Sequence, residues 1–159
     1  MRKGVIAPVT TVQSSPLPEQ EWLDIEHQAK VEVTSEDPNF LIESALVSGK
    51  EPGWRAATRG EQIIRIVFDK KRDLRRIRLE FSETQCERTQ EFTLRWSAEP
   101  EGPFSQIVRQ QWTFSPQGST TEVEDYRVSL SGVSVLELAL KPDLTPGNAF
   151  GSLARWRVE

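Results

Sequence analysis

One histidine, His27, and one cysteine, Cys86, are all that this sequence offers for imidazole or thiol chemistry. Cys86 lies in the run Glu83-Thr84-Gln85-Cys86-Glu87-Arg88. Acidic neighbours hold a thiol protonated rather than activating it, so an inert loop cysteine is expected. His27 follows Glu26 near the N-terminal edge and reads as a surface or capping residue. Carboxylates are abundant, with 24 Asp and Glu. Glu122, Glu124 and Asp125 read as solvated outer-face charge rather than as the acid–base pair that glycoside hydrolysis needs. No glycine-rich phosphate cradle is present, and a lone cysteine cannot close a disulfide within the chain. The expectation is a protein without catalytic residues or a resident metal.

Binding chemistry is better supplied. Trp54, Trp112, Phe114 and Phe150 fall in or beside expected loops, where an aromatic ring can stack on the C–H face of a sugar. Arg55 follows Trp54, and the run Arg109-Gln110-Gln111-Trp112-Thr113-Phe114 sets guanidinium and amide groups beside aromatic ones. Such groups present hydrogen-bond donors at fixed spacing, which suits hydroxyl-rich ligands. Arg88 and Gln90 precede an apolar strand and are expected to converge on the same end. The candidate ligand-binding set is therefore Trp54, Arg55, Arg88, Gln90, Trp112 and Phe114.

Twenty basic and 24 acidic residues give a net charge of −4. Nucleic-acid binding normally draws on a clustered basic excess, so no nucleic-acid partner is expected. No apolar stretch reaches the roughly 18 residues of a membrane helix. The short run Gly4-Val5-Ile6-Ala7 is broken by Pro8 too soon to be a signal-peptide core. A cytoplasmic protein with no membrane partner is the expectation.

Residues 1–20 contain three prolines, two of them closely spaced, and no period, and read as an extended tail. Residues 21–159 read as one domain, opened by a short helical turn near His27 that carries Trp22, Leu23 and Ile25. From Ala29 onward the period is two. Val31 and Val33, then Ile64, Ile66 and Phe68, then Ile77, Leu79 and Phe81 alternate with polar residues. So do Phe92, Leu94 and Trp96, then Tyr126, Val128 and Leu130, then Leu136, Leu138 and Leu140, and finally Ala154, Trp156 and Val158. One apolar and one polar face per strand is the signature of antiparallel sheet wet on one side. Turns are expected at Pro52-Gly53, Asp69-Lys70-Lys71, 99–103, Pro116-Gln117-Gly118 and Pro146-Gly147, with 62–69 and 74–81 forming a hairpin. About eight such strands make an all-β, two-sheet antiparallel sandwich. Phe68, Phe81, Phe92, Trp96 and Trp156 fall in the inward phase. Arg65, Arg76, Arg78 and Arg95 fall on the polar side, with Arg127, Arg155 and Arg157 as further candidates. There they can pair across strands with Glu80, Glu91 and Glu137.

The order of motifs resembles the discoidin or coagulation-factor type C family, the galactose-binding-like group that includes many bacterial sugar-binding modules. The residues that carry it are Val31-Glu32-Val33-Thr34-Ser35-Glu36, Ile42-Glu43-Ser44-Ala45-Leu46, Gly53-Trp54-Arg55-Ala56, Phe92-Thr93-Leu94-Arg95-Trp96-Ser97 and Leu153-Ala154-Arg155-Trp156-Arg157-Val158. The resemblance implies a jelly-roll sandwich that holds a saccharide or similar polar ligand in loops at one end, with a protein-interaction module on the same scaffold as the alternative. It also implies a structural calcium, held in the family by an Asp after Ala-Leu and a Glu in the last strand. Here Val47-Ser48-Gly49 follows Ala45-Leu46 and Arg155 stands at the acidic position, so a lost or remodelled site is expected, with Glu43 as the remnant ligand.

Overall fold

The computed structural model describes residues 22–145, 147 and 149–159; the expected tail and Pro146 lie outside them. The chain forms β1 (Ala29–Val33), β2 (Trp54–Arg59), β3 (Gln62–Ser82), β4 (Arg88–Ser97), β5 (Ser105–Phe114), β6 (Thr121–Lys141), β7 (Phe150–Leu153) and β8 (Arg155–Val158), with single helical turns α1 (Ile25–Gln28) and α2 (Glu43–Leu46). All pairings are antiparallel, as the period-two pattern requires. One set runs β1-β3-β6-β4-β5 with β8 also on β3, and β2 pairs with β7. This is the expected all-β sandwich of eight strands.

Two of its strands are longer than the sequence pattern indicates. The expected turn at 69–71 does not separate a hairpin; residues 62–82 are one strand. Tyr126, Val128 and Leu130 likewise share β6 with Leu136, Leu138 and Leu140. The β3–β6 ladder shifts register between Val67 and Arg76, and the inward residues change phase there. Extra residues in one strand bend and twist it. The first half of β3 therefore pairs with β1 and the second half of β6, and its other half pairs with β8 and the first half of β6. The two halves supply the two layers.

Between the layers lies one apolar cluster. Ile64, Ile66, Leu94, Leu136 and Leu138 come from one side, and Ile77, Leu79, Phe81, Leu130 and Trp156 from the other. Phe81 and Phe92 stack with ring centres 5.3 Å apart. Ile25 from α1 and Leu46 from α2 close the cluster, and the Leu23 N–H donates to Val158 O at 2.8 Å. Trp22 sits under the Arg76 guanidinium, 5.1 Å from its ring centre. Trp96 departs from expectation: it points inward but stays partly exposed at the end of β4. The polar faces carry the expected cross-strand pairs. Arg65 and Arg95 both donate to Glu137 and Arg155 to Glu80; Glu91 is taken by Arg109, which was not among the expected arginines, and Arg76 and Arg78 reach Asp125. No helix among the described residues is long and apolar enough to cross a membrane.

Gly53 fixes how β2 leaves the preceding loop. Its φ is +112°, and a Cβ there would lie 2.8 Å from Leu153 O, a backbone atom of the paired β7–β8 segment. Neither the dihedral nor the space admits a side chain. Gly53→Ala is expected to cost roughly 2–4 kcal/mol, lowering Tm by about 5–15 °C in a thermal melt.

Candidate functional site

The pairing of β2 with β7 opens a cleft at one end of the sandwich. Trp54 pairs with Leu153 and Arg55 with Ser152. The loop before α2 joins them, because the Arg55 N–H donates to Phe40 O at 3.1 Å and the Asp37 N–H to Arg55 O at 2.8 Å. Opposite stands the β3–β4 connection, residues 83–87. The cleft between them holds about 240 Å³ and is lined by Phe40, Arg55, Glu83, Thr84, Gln85 and Ser152, with Trp54 and Leu153 at its base.

The donors and rings in this cleft are ordered before any ligand arrives. Arg55 lies between the rings of Phe40 and Phe150, 5.9 Å from each centre, and Arg59 covers Phe150 at 5.2 Å. Each such contact contributes about 0.5–1 kcal/mol at an exposed site. Trp54 is fully buried and spends its indole N–H on Ser35 O at 3.0 Å. It buttresses the cleft floor, and its ring face is unavailable for stacking. Glu83 accepts from Arg88 Nε at 2.8 Å and from the Gln85 N–H at 2.8 Å. Burial alone would raise its pKa, but those hydrogen bonds hold it below its ordinary value. An ionised Glu83 in turn fixes the loop that presents Thr84 and Gln85.

Arg88 sits directly behind this wall. It is buried, and besides Glu83 it donates to Pro142 O at 2.7 Å, to Gln90 Oε1 at 3.1 Å and to Ser152 Oγ at 3.5 Å. Its guanidinium lies 4.9 Å from the ring centre of Phe114, which is 0% exposed. Gln90 is also buried and donates to Glu122 Oε1 at 2.9 Å. Of the six residues expected at a ligand, then, only Arg55 offers surface in the cleft. Trp54, Arg88, Gln90 and Phe114 are interior supports. Trp112 packs partly buried against the core from β5 and does not line the cleft. Sequence pattern carried a signal for this: Arg88 and Gln90 share the even phase of Phe92 and Leu94, which points inward. Phe40 and Gln85 were missed because nothing in an irregular segment reports which residues will face each other.

Glu122 corrects a second expectation. It is 0% exposed, not solvated, and its Oε2 has no hydrogen-bond partner. Burial and the neighbouring Glu124 carboxyl raise its pKa to about 8, against the opposing effects of Gln90 and Arg88. Tyr126, whose hydroxyl donates to Glu124 Oε1 at 3.3 Å, is raised by burial and by that same carboxylate. The His27 Nδ1–H donates to Asp24 Oδ2 at 2.7 Å on the exposed turn, and Cys86 is an exposed residue whose thiol is raised by partial desolvation of the sulfur and by Glu83. Neither meets a partner that would make it a nucleophile.

The sequence matches no family model and no curated protein. Solved structures do match. CBM32-3 from a family 31 glycoside hydrolase of Clostridium perfringens superposes with a TM-score of 0.63 at 17% identity, covering 87% of this chain and 94% of that one. The fold is that of the CBM32 carbohydrate-binding modules. The family 32 module of Clostridium perfringens NanJ, solved in complex with galactose, gives 0.57 at 13% identity over 86% and 96%. A Ruminococcus gnavus GH29 fucosidase matches at 0.66 and 10% identity, but this chain spans only 26% of it. Identities this low establish the galactose-binding-like sandwich and leave the ligand to be argued from the residues.

The calcium implied by that fold does not suit the residues here. Arg157, only 6% exposed, donates from Nη1 to Ala45 O at 2.8 Å, so that carbonyl already accepts from a fixed guanidinium. Arg155, at the expected acidic position, pairs instead with Glu80 at 3.2 Å and Glu51 at 3.8 Å. Glu43 is exposed at the start of α2. Calcium takes six or more oxygens, and two guanidinium groups supply none. Among the described residues, the one group of three His, Cys, Asp or Glu side chains with converging ligand atoms is Asp24, Glu26 and His27, which excludes Glu43.

Two outcomes follow from these buried charges. Because Glu122 binds a proton in the fold at pH values where the unfolded chain has lost it, stability falls as pH rises from about 4.5 to about 8. Glu122→Gln, which keeps the acceptor for Gln90, is expected to flatten that slope in melts at pH 5 and pH 9 (roughly two units to either side of neutrality). Arg157→Met is expected to destabilise by roughly 2–4 kcal/mol by stranding Ala45 O. Millimolar calcium or a chelator should leave the Tm of both Arg157→Met and the parent unchanged.

Proposed function

We propose that this chain is a non-catalytic carbohydrate-binding module that holds a saccharide in the cleft between Phe40 and the 83–87 connection. The observation that carries the reading is the composition of that cleft. A partly exposed Phe40 ring is held against the Arg55 guanidinium, facing Thr84, Gln85 and Ser152 across about 240 Å³. A sugar ring presents an apolar C–H face and a rim of hydroxyls. Phe40 answers the first, and the guanidinium, amide and hydroxyl groups answer the second. Preorganisation by Glu83 and Arg88 reduces the ordering cost of binding. Similar sandwiches solved with galactose and with GalNAc-β-1,3-galactose support the assignment.

Catalysis finds no support in this arrangement. The one carboxylate lining the cleft wall with hydrogen bonds from the protein, Glu83, is held ionised by Arg88, and no second carboxyl group of the described lining stands opposite to act with it. We therefore read the domain as a recognition unit rather than a hydrolase. For a shallow cleft with one ring and a few polar groups, affinities in the micromolar to millimolar range, about −8 to −4 kcal/mol, are expected.

A glycan array followed by calorimetry on the best ligand tests this. Phe40→Ala should weaken binding at least about tenfold, and Arg55→Ala should do the same. Both residues are at the surface, and the variants should keep a cooperative melt. An array without a hit at millimolar sensitivity, or a hit insensitive to both substitutions, refutes the saccharide cleft and leaves a protein partner as the reading to pursue.

A further inference from the structure

The far end of β4 carries a second groove, built differently from the first. β4 spans ten residues from Arg88 to Ser97, about 30 Å at the rise of an extended strand. At that end Trp96 points inward with Phe92 and Leu94, but the residues around it are small. Ser105 faces it across β5, Ala98 follows it, and Ser131 approaches from the bend of β6. Pro103 and Glu99 complete the lining of a groove of about 460 Å³. That volume is in the range of small-molecule sites. The partly exposed indole of Trp96 is thus left at the bottom of a cavity instead of under a neighbouring side chain.

The segment that carries Pro103 is anchored by buried charge on the other face of β4. Phe104, next to Pro103, lies 4.8 Å from the Arg95 guanidinium and 5.7 Å from that of Arg65. Both arginines donate to Glu137, which is fully buried between them. The 98–102 loop is stitched internally as well. Ser97 Oγ donates to Glu99 O at 2.6 Å, the Gly102 N–H donates to Glu99 O at 3.1 Å, and Ser134 Oγ donates to Ala98 O at 2.7 Å. A groove whose walls are fixed this way keeps its shape when empty, as ligand sites generally do.

We propose that this Trp96 groove is a second saccharide-binding site, independent of the Phe40 cleft. Its chemistry selects the class of ligand. Trp96 and Pro103 give two apolar plates for a pyranose ring, and Ser105, Ser131 and the Glu99 carboxylate give hydroxyl partners at the rim. Glu99 is the one charged side chain of its lining and already pairs with Lys71 at 3.2 Å, so no uncompensated cation faces the groove and a neutral sugar is favoured over an acidic one. Two sites at opposite ends of one sandwich would let the domain bridge two chains of a glycan, or two points on one, with the gain that bivalency brings.

Backbone amide NMR with a panel of neutral monosaccharides and disaccharides (galactose, glucose, N-acetylglucosamine, lactose and cellobiose) decides the matter. Expected are saturable shifts at 97–99, 105 and 131 at millimolar ligand, in a titration separable from any at 84–85 and 152. Trp96→Ala should abolish the first set alone. Because Trp96 also touches the core, Ser105→Phe serves as the second variant; it fills the groove from an exposed position and should have the same effect. Absence of shifts at 97–99, 105 and 131 up to tens of millimolar overturns the proposal, as does their persistence in both variants. Shifts at 84–85 and 152 without the first set overturn it while leaving the Phe40 cleft standing, and the converse result separates the two readings the other way.

Discussion

The pairing of β3 with β6 is the constraint on which the remainder of the fold rests. These two 21-residue strands stay hydrogen-bonded through a bend, so the same ladder serves both layers of the sandwich. A bend in one strand alone would leave backbone groups unpaired in the interior, at about 1–3 kcal/mol each. The register shifts between Val67 and Arg76 let both strands turn together. Once they do, β1, β4 and β5 must attach on one side and β8 on the other. The ends of β4 are thereby carried to opposite ends of the molecule.

Each end is then organised by a buried charge with its partners in place. At one, Arg88 ties Glu83, Pro142, Gln90 and Ser152 into a single unit behind the Phe40 cleft. At the other, Glu137 holds Arg65 and Arg95 flat under Phe104. Ion pairs with a fully buried member contribute little net stability beside an apolar replacement, since desolvation offsets most of the attraction. Their effect here is geometric: they leave surface loops with one conformation available. At a third place the buried Arg157 guanidinium ties β8 to the Ala45 carbonyl of α2.

Most of the fold was legible in the sequence, because a period of two reports a strand and its inward face at once. Ile64, Leu79, Leu94 and Leu138 were each in the phase the core required, and Glu137, Glu91 and Glu80 were paired with arginines as the alternation implied. The bend in β3 was not legible. Polar residues at 69–73 and a switch from even to odd inward positions look the same whether the chain turns back or shifts register and continues. The site was read less well for a related reason. Alternation places Arg88, Gln90 and Glu122 inward, but the usual exposure of charged and amide side chains argued the other way, and in this fold their mutual hydrogen bonds outweighed it. Phe40 and Gln85 belong to irregular segments brought together by the β2–β7 pairing and by Ser152, contacts far apart in sequence that no local pattern encodes.

A crystal structure of the domain with the strongest ligand from a glycan array is the most direct test of the central claim. The account predicts a sugar ring lying on Phe40, with its hydroxyls on Arg55 and Gln85 and the Glu83–Arg88 pair unmoved behind them. A sugar lying instead on the outer face of the β1-β3-β6-β4-β5 sheet, with the Phe40 cleft empty, would contradict it.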